Sequence, residues 1–210
     1  MKPYYEESGI TIYHGDCREI LPSIEPVDLM LTDPPYGLPG EEVVTRNFVV
    51  CDISNKMKFV FTDWRNPITH PQKFGELIWE YGWISGGRCR SKNGYFPTHN
   101  TINLIGDSSK FKFIKEGSIV FRREGFSSPR QCSYAKKSGH PFEKPLRLLK
   151  WLIGLTDLES IIDPFVGSGS TLVAAKQLGH KAIGIEIEEK YCEIAAKRLQ
   201  QEVFDFNEKK

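Results

Sequence analysis

The 210-residue sequence has no apolar run near the roughly 18 residues that a membrane-spanning helix needs. Its opening stretch, Met1 to Glu7, holds no apolar segment of the kind a secretion signal carries, so a cytoplasmic protein is expected. Cysteine is scarce and unpatterned. Cys17, Cys51, Cys89, Cys132 and Cys192 are odd in number and never form C-x-x-C, which argues against a disulfide framework and against a zinc site. The five histidines are equally dispersed; His99 and His140 could meet a cysteine in space, but their spacing matches no ligand pattern, and no metal is expected. An excess of one charge is also missing: 28 Lys and Arg face 27 Asp and Glu, a net of +1. No internal repeat is present. What remains, 40% hydrophobic and 26% charged residues, is the composition of one ordinary globular domain with enough chain for a core.

Organisation emerges from the pattern. Gly9–Tyr13 alternates and is β-branched, which predicts a short strand, and Cys17–Leu21 a brief helix stopped by Pro22. Val27–Thr32 is a compact apolar strand running into Asp33-Pro34-Pro35-Tyr36-Gly37, where two successive prolines force a turn. Further strands are expected at Phe59–Thr62, Glu76–Trp79, Thr101–Ile105 and Ser118–Arg122, with loops over Ser85–Pro97 and Gly125–Gly139. Pro145–Thr156 has helical apolar spacing with proline at its first turn. The last third reads strand (Ser160–Ile162), Gly-rich loop, helix (Thr171–Leu178), strand (Lys181–Ile187), helix (Glu189–Val203). This is a βαβ unit and hence implies a parallel sheet.

Two loops carry the chemistry. Asp163-Pro164-Phe165-Val166-Gly167-Ser168-Gly169 leaves a strand and opens a helix with Ser170 and Thr171, where backbone N–H groups favour an anion. The dinucleotide fingerprint would want glycine at position 172, but Leu172 stands there, which favours a smaller anion such as an amino-acid carboxylate over a pyrophosphate. Glu186 ends the next strand 19 positions after Gly167, near the spacing at which a carboxylate reaches ribose hydroxyls. An adenosine with a carboxylate in place of a pyrophosphate points to S-adenosylmethionine. In the other loop Asp33 and the Pro34 carbonyl offer two acceptors to an exocyclic NH2, and Tyr36 offers a face for a planar base. Without that context each loop is simply a tight turn. Both leave the carboxyl end of an apolar strand, and in an open parallel sheet those ends line one crevice.

These residues resemble the β class of amino DNA methyltransferases, in which D-P-P-Y precedes F-x-G-x-G. The match rests on His14-Gly15-Asp16-Cys17, on Leu31 to Gly37, on His140-Pro141-Phe142-Glu143-Lys144-Pro145, and on Asp163 to Thr171 with Glu186. It covers about residues 9–38 and 138–200 well and the middle loosely. The resemblance implies a Rossmann-like methyltransferase fold: α/β, a mostly parallel sheet with helices on both faces, in circularly permuted motif order. It implies that Phe165, Gly167, Ser168 and Gly169 shape the cofactor loop. Asp33, Lys144, Asp163, Ser170 and Thr171 would lie near the methionine part, Glu186 at the ribose, and Asp16 with Cys17 near the adenine. Asp33, Pro34, Pro35 and Tyr36 would form the catalytic turn that holds a base flipped out of duplex DNA. Asp at the first motif position is typical of adenine-N6 members, and Ser is more frequent in cytosine-N4 members.

Net charge conceals its own distribution. Residues 86–139 carry eleven Lys or Arg against three acids, a net of +8, interleaved with Tyr95, Phe96, Phe126 and Tyr134, while residues 1–44 are at −7. Within a single domain spanning 1–210, about 86–139 reads as a basic target-recognition insertion, with Arg88, Arg90, Lys92, Arg122, Arg123, Arg130, Lys136 and Lys137 as its DNA-contact candidates. The segment is short for a recognition domain, which leaves limited specificity or recognition assisted by a second copy as the two readings. A partner restriction nuclease is left open. The rival functions are cytosine-N4 methylation, methylation of RNA or of protein glutamine, and a DNA-binding protein that has lost activity. The motif order disfavours the RNA and glutamine enzymes, and the intact Asp33, Tyr36, Gly167, Gly169 and Glu186 disfavour the inactive binder.

Overall fold

The computed structural model describes residues 1–34, 54–63, 68, 70–80, 99–112, 120–122 and 143–201. Its strands are β1 (Tyr5–Glu7), β2 (Ile10–His14), β3 (Val27–Thr32), β4 (Ser54–Asp63), β5 (Lys73–Glu80), β6 (His99–Gly106), β7 (Val120–Arg122), β8 (Ser160–Asp163) and β9 (Lys181–Glu186). The helices are α1 (Cys17–Ile20), α2 (Leu146–Gly154), α3 (Ser170–Gln177) and α4 (Glu189–Gln200). The described strands form one sheet in the order β1-β2-β9-β8-β3-β4-β6-β5-β7. From β2 to β4 every neighbour is parallel; β1, at one edge, and β6, beyond β4, run antiparallel to their neighbours.

Alternation along the strands builds two packed faces. Leu29 and Leu31 of β3 join Ile161, Phe59 and Ile102 on one face, against Leu148, Leu149 and Leu152 of α2, Leu172 of α3 and Cys192 of α4. Met30, Ile162 and Ile185 point the other way, against Cys17, Ile20 and Leu21 of α1 and the 3-10 turn Leu21–Ser23 that follows it. Pro22 tightens the chain into that turn, as expected of a residue that cannot continue a helix. Helices thus cover both faces, with the three longer ones on the first. None of the described helices is long and apolar enough to cross a membrane.

The sequence reading missed β1. Its partner β2 is reached through Ser8 and Gly9, whose φ values of 51° and 77° are those of a two-residue hairpin turn that needs left-handed backbone at both positions. Tyr5-Glu6-Glu7 is too short and too charged to show a period by itself. The expected loops at Ser85–Pro97 and Gly125–Gly139 lie outside the described residues.

Gly169 is the glycine the packing demands most. It caps α3 with φ 81°, and a Cβ there would sit 2.8 Å from Cβ and 3.0 Å from Cα of Ala195, on α4. Strained left-handed backbone and an overpacked helix contact add, so Gly169→Ala should destabilise the protein by about 2–4 kcal/mol. Gly154, where a Cβ would meet nothing within 4 Å, serves as the control: Gly154→Ala should shift stability by less than about 1 kcal/mol. Urea titrations of the two variants check the difference.

Candidate active site

Chain direction locates the site before any side chain is considered. From β8 the chain passes through α3 to β9 on one side, and β3 has β4 as its neighbour on the other. The gap between the carboxyl ends of β8 and β3 is therefore the point where strand order reverses, where open α/β sheets bind ligands. Asp163 ends β8, and Asp33 directly follows β3.

The two ends are joined. Thr32 Oγ1 donates to Asp163 Oδ1 at 3.0 Å, and the Phe165 N–H donates to the same oxygen at 3.1 Å. Asp163 is only 3% exposed, and burial pushes its carboxyl up to about 6, against hydrogen bonds from Thr171, Phe165 and Thr32 that favour the charged form. The resemblance set this residue near the methionine part of the cofactor; in the structure it ties both loops together from below. Asp33 accepts an ion pair from Lys144 through Oδ2, and the Lys144 ammonium lies 5.4 Å from the centre of the Phe61 ring on β4. The Asp33 and Lys144 side chains are 22% and 11% exposed, so this pair forms in a half-dry setting that strengthens it.

Glu186 occupies the end of β9. Its Oε2 accepts the Gly167 N–H at 2.8 Å, its Oε1 accepts the Glu188 N–H at 2.9 Å, and it is 8% exposed. Each oxygen keeps acceptor capacity beyond the bond it makes, so the clamp aims the carboxylate without exhausting it. The loop is further held by Val166 N–H to the Ile185 carbonyl at 3.1 Å. Gly167 and Gly169 both take positive φ, 52° and 81°, which allows the loop to turn tightly from β8 into α3. A glycine loop bordered by a fixed carboxylate fits an adenosyl ligand with vicinal hydroxyls. The hydroxyls of Ser168 and Ser170 face inward, each accepting from Arg198, at 3.0 and 3.2 Å.

Asp16 caps α1. It accepts the Arg18 N–H at 2.8 Å and the Arg18 guanidinium, whose hydrogen bonds hold its carboxyl below the ordinary value. Cys17 packs into the second face, and burial pushes its thiol up to about 11, so it is a neutral apolar wall. Among the described residues no group of three or more His, Cys, Asp or Glu could hold a metal ion. Pro34 is buried, while Pro35 and Tyr36 lie outside the described residues.

The family model described as DNA methylase, covering N6 and N4 methyltransferases, matches residues 27–197. The chain belongs to this family. The methylase is 26% identical over 255 residues to the type II methyltransferase M2.LlaDCHI of Lactococcus lactis subsp. cremoris, covering 95% of this chain and 93% of that one. Its fold is similar to the M1.HpyAVI–SAM complex at a TM-score of 0.67 and 25% identity, over 91% of this chain and all of the other. The cytosine-N4-specific PvuII DNA methyltransferase aligns at a TM-score of 0.68 over 96% of this chain and 90% of the other. At 19% identity that likeness speaks to fold alone.

The basic segment of the methylase is partly sheet. Residues 99–106 form β6, whose Ile102, Leu104 and Ile105 are core, and Val120–Arg122 form β7. Strand direction sorts the cations. The carboxyl ends of β5 and β7 and the amino end of β6 lie at the same edge of the sheet as Asp33, whereas Gly106 to Lys110 lies at the opposite edge, beside Lys56. Arg122 ends β7 at the first edge. Arg88, Arg90, Lys92, Arg123, Arg130, Lys136 and Lys137 lie outside the described residues.

Residues that the sequence reading left without a function also shape the site. Thr32, Phe61 and Arg198 were given no role, and Glu143 was quoted in its motif without one. A signal existed for Arg198: it is a cation on a helix that otherwise turns Cys192, Ala195 and Leu199 into the core.

Proposed function

We propose that the methylase transfers the methyl group of S-adenosylmethionine to the N6 amine of an adenine flipped out of duplex DNA. The observation that carries this reading is the meeting of Asp33 and Asp163 at the switch point, joined by Thr32 and flanked by the clamped Glu186. When bound, the cofactor supplies an electrophilic methyl on a sulfonium, whose bonding electron pair leaves with sulfur.

Glu186 takes the ribose hydroxyls, and the backbone of Gly167 to Gly169 borders the methionine part. Asp33 and the Pro34 carbonyl accept hydrogen bonds from the amine, turn its lone pair toward the methyl, and stabilise the positive charge that develops on nitrogen, which then releases one of its protons to solvent. The Asp33–Lys144 pair holds the carboxylate still, so it need not reorganise during reaction. Tyr36 stacks on the base and offsets part of the few kcal/mol that flipping costs. The basic residues of the segments that leave the sheet at the Asp33 edge track phosphates, while Lys110 and Lys112 at the opposite edge do not. Asp33 favours adenine; cytosine N4 is the second reading, because the same acceptors suit either amine.

Label transfer tests this reading. Radioactive methyl from S-adenosylmethionine should enter duplex DNA when duplex DNA, single-stranded DNA, RNA and bulk protein are offered separately. Label confined to RNA or to protein would overturn it.

A further inference from the structure

We infer that Arg198 is a positioning residue that couples the cofactor loop to the Lys144–Asp33 pair, an inference that rests on the proposed methyl transfer. Arg198 lies in the last turn of α4, and its side chain is 17% exposed. One guanidinium nitrogen, Nη1, donates to the Ser168 carbonyl at 2.7 Å, to Ser168 Oγ at 3.0 Å and to Ser170 Oγ at 3.2 Å. The other, Nη2, donates to Glu143 Oε1 at 2.7 Å, and the Glu143 side chain is 12% exposed.

A single side chain therefore spans three parts of the chain: the last helix, the turn from β8 into α3, and the segment that enters α2. Glu143 is followed directly by Lys144, whose ammonium pairs with Asp33. Fixing the Glu143 carboxylate fixes the backbone from which Lys144 reaches, and fixing Ser168 and Ser170 fixes the loop bordering Glu186. The planar fork of arginine can serve both segments at once, whereas a lysine ammonium has no second arm. Arg198 holds Ser168 and Ser170 of the cofactor loop on one side and Glu143, next to Lys144, on the other. Its effect on the base and the cofactor passes through those residues.

The test uses Arg198→Met, Arg198→Lys, Lys144→Met and the double variant Arg198→Met/Lys144→Met. Arg198→Met should weaken S-adenosylmethionine binding, measured by calorimetry without DNA, by about tenfold and lower kcat by about ten- to a hundredfold, the scale of a displacement near 1 Å. Arg198→Lys should regain thermal stability but not kcat. In the Lys144→Met background, Arg198→Met should lower kcat by less than about threefold further, because both act on one unit. Unchanged cofactor affinity, or full additivity of the two kcat losses, would overturn the inference. If Arg198→Met fails to fold, Glu143→Gln breaks the same tie from the other side and should lower kcat about tenfold; wild-type kcat in Glu143→Gln would also overturn it. A wild-type protein that binds S-adenosylmethionine but methylates no DNA would count against the proposed function instead, and calorimetry on Arg198→Met would still decide the loop half of the inference.

Discussion

Asp33→Ala should lower kcat for methyl transfer to DNA by at least about 10²-fold, with a much smaller change in cofactor affinity. The magnitude is that of removing one preorganised group aimed at developing charge in a water-poor site. Asp33 is well placed for that role. It follows a strand whose last residue, Thr32, is 2% exposed and hydrogen-bonded to Asp163, so its backbone has little freedom. Lys144 holds its Oδ2, and Phe61 lies beneath the ammonium. Asp33→Asn keeps an acceptor but loses the charge, and should retain more activity than Asp33→Ala. Because the Asp33 side chain is 22% exposed, neither variant should unfold the protein. Steady-state kinetics beside cofactor calorimetry checks the split; equal losses in kcat and affinity would move Asp33 wholly to cofactor binding.

Asp163→Asn should make the protein more stable at pH 8 than the wild type, and no more stable at pH 4. In the unfolded chain this carboxyl titrates near 3.8, while burial in the folded protein pushes it up to about 6. Between those values the unfolded chain gives up its proton and the folded protein keeps it, so wild-type stability falls as pH rises through that window and is level above it. The difference of about two units sets a ceiling of about 3 kcal/mol on the cost of the ionised form at pH 8. Asparagine cannot ionise, yet its carbonyl can still accept from Thr32 and from the Phe165 N–H. Urea titrations at pH 4, 5, 6 and 8 should show the two proteins diverging through that window, and parallel profiles would refute the assignment. Gain of stability with loss of activity is the expected signature of a residue kept for the site.

Local chemistry explains how much of this was legible. The strands at Val27–Thr32 and Ser160–Asp163 announce themselves by apolar runs that break at Pro-Pro and ahead of Gly-x-Gly, and Lys181–Glu186 by an apolar run closing on a cluster of Glu. The loops carrying Asp33, Gly167 and Glu186 could therefore be set on strand ends from sequence. The place of β6 between β4 and β5 could not be. It depends on antiparallel registers such as Phe59 with Leu104 and Leu77 with Ile102, which alternation alone does not select. The basic segment read as an insertion from its charge, while the apolar run Thr101–Ile105 within it was legible as a strand and forms the middle of β6. Long-range polar ties were equally silent: Thr32 to Asp163 spans 131 residues and Arg198 to Glu143 spans 55, and neither pair has a spacing rule. Glu186 was found by its distance from Gly167, but the two N–H groups that aim it needed the folded loop.

The most direct test of the account is the chemical identity of the methylated nucleoside. DNA methylated by the purified protein with labelled S-adenosylmethionine should be digested to nucleosides and separated. An acceptor pair at Asp33 and Pro34 that grips an exocyclic amine predicts methyl on that amine, and Asp at the first motif position predicts N6-methyldeoxyadenosine. N4-methyldeoxycytidine would keep the amine chemistry and reject adenine as the target. Label on a ring carbon, as in 5-methyldeoxycytidine, would contradict the account itself.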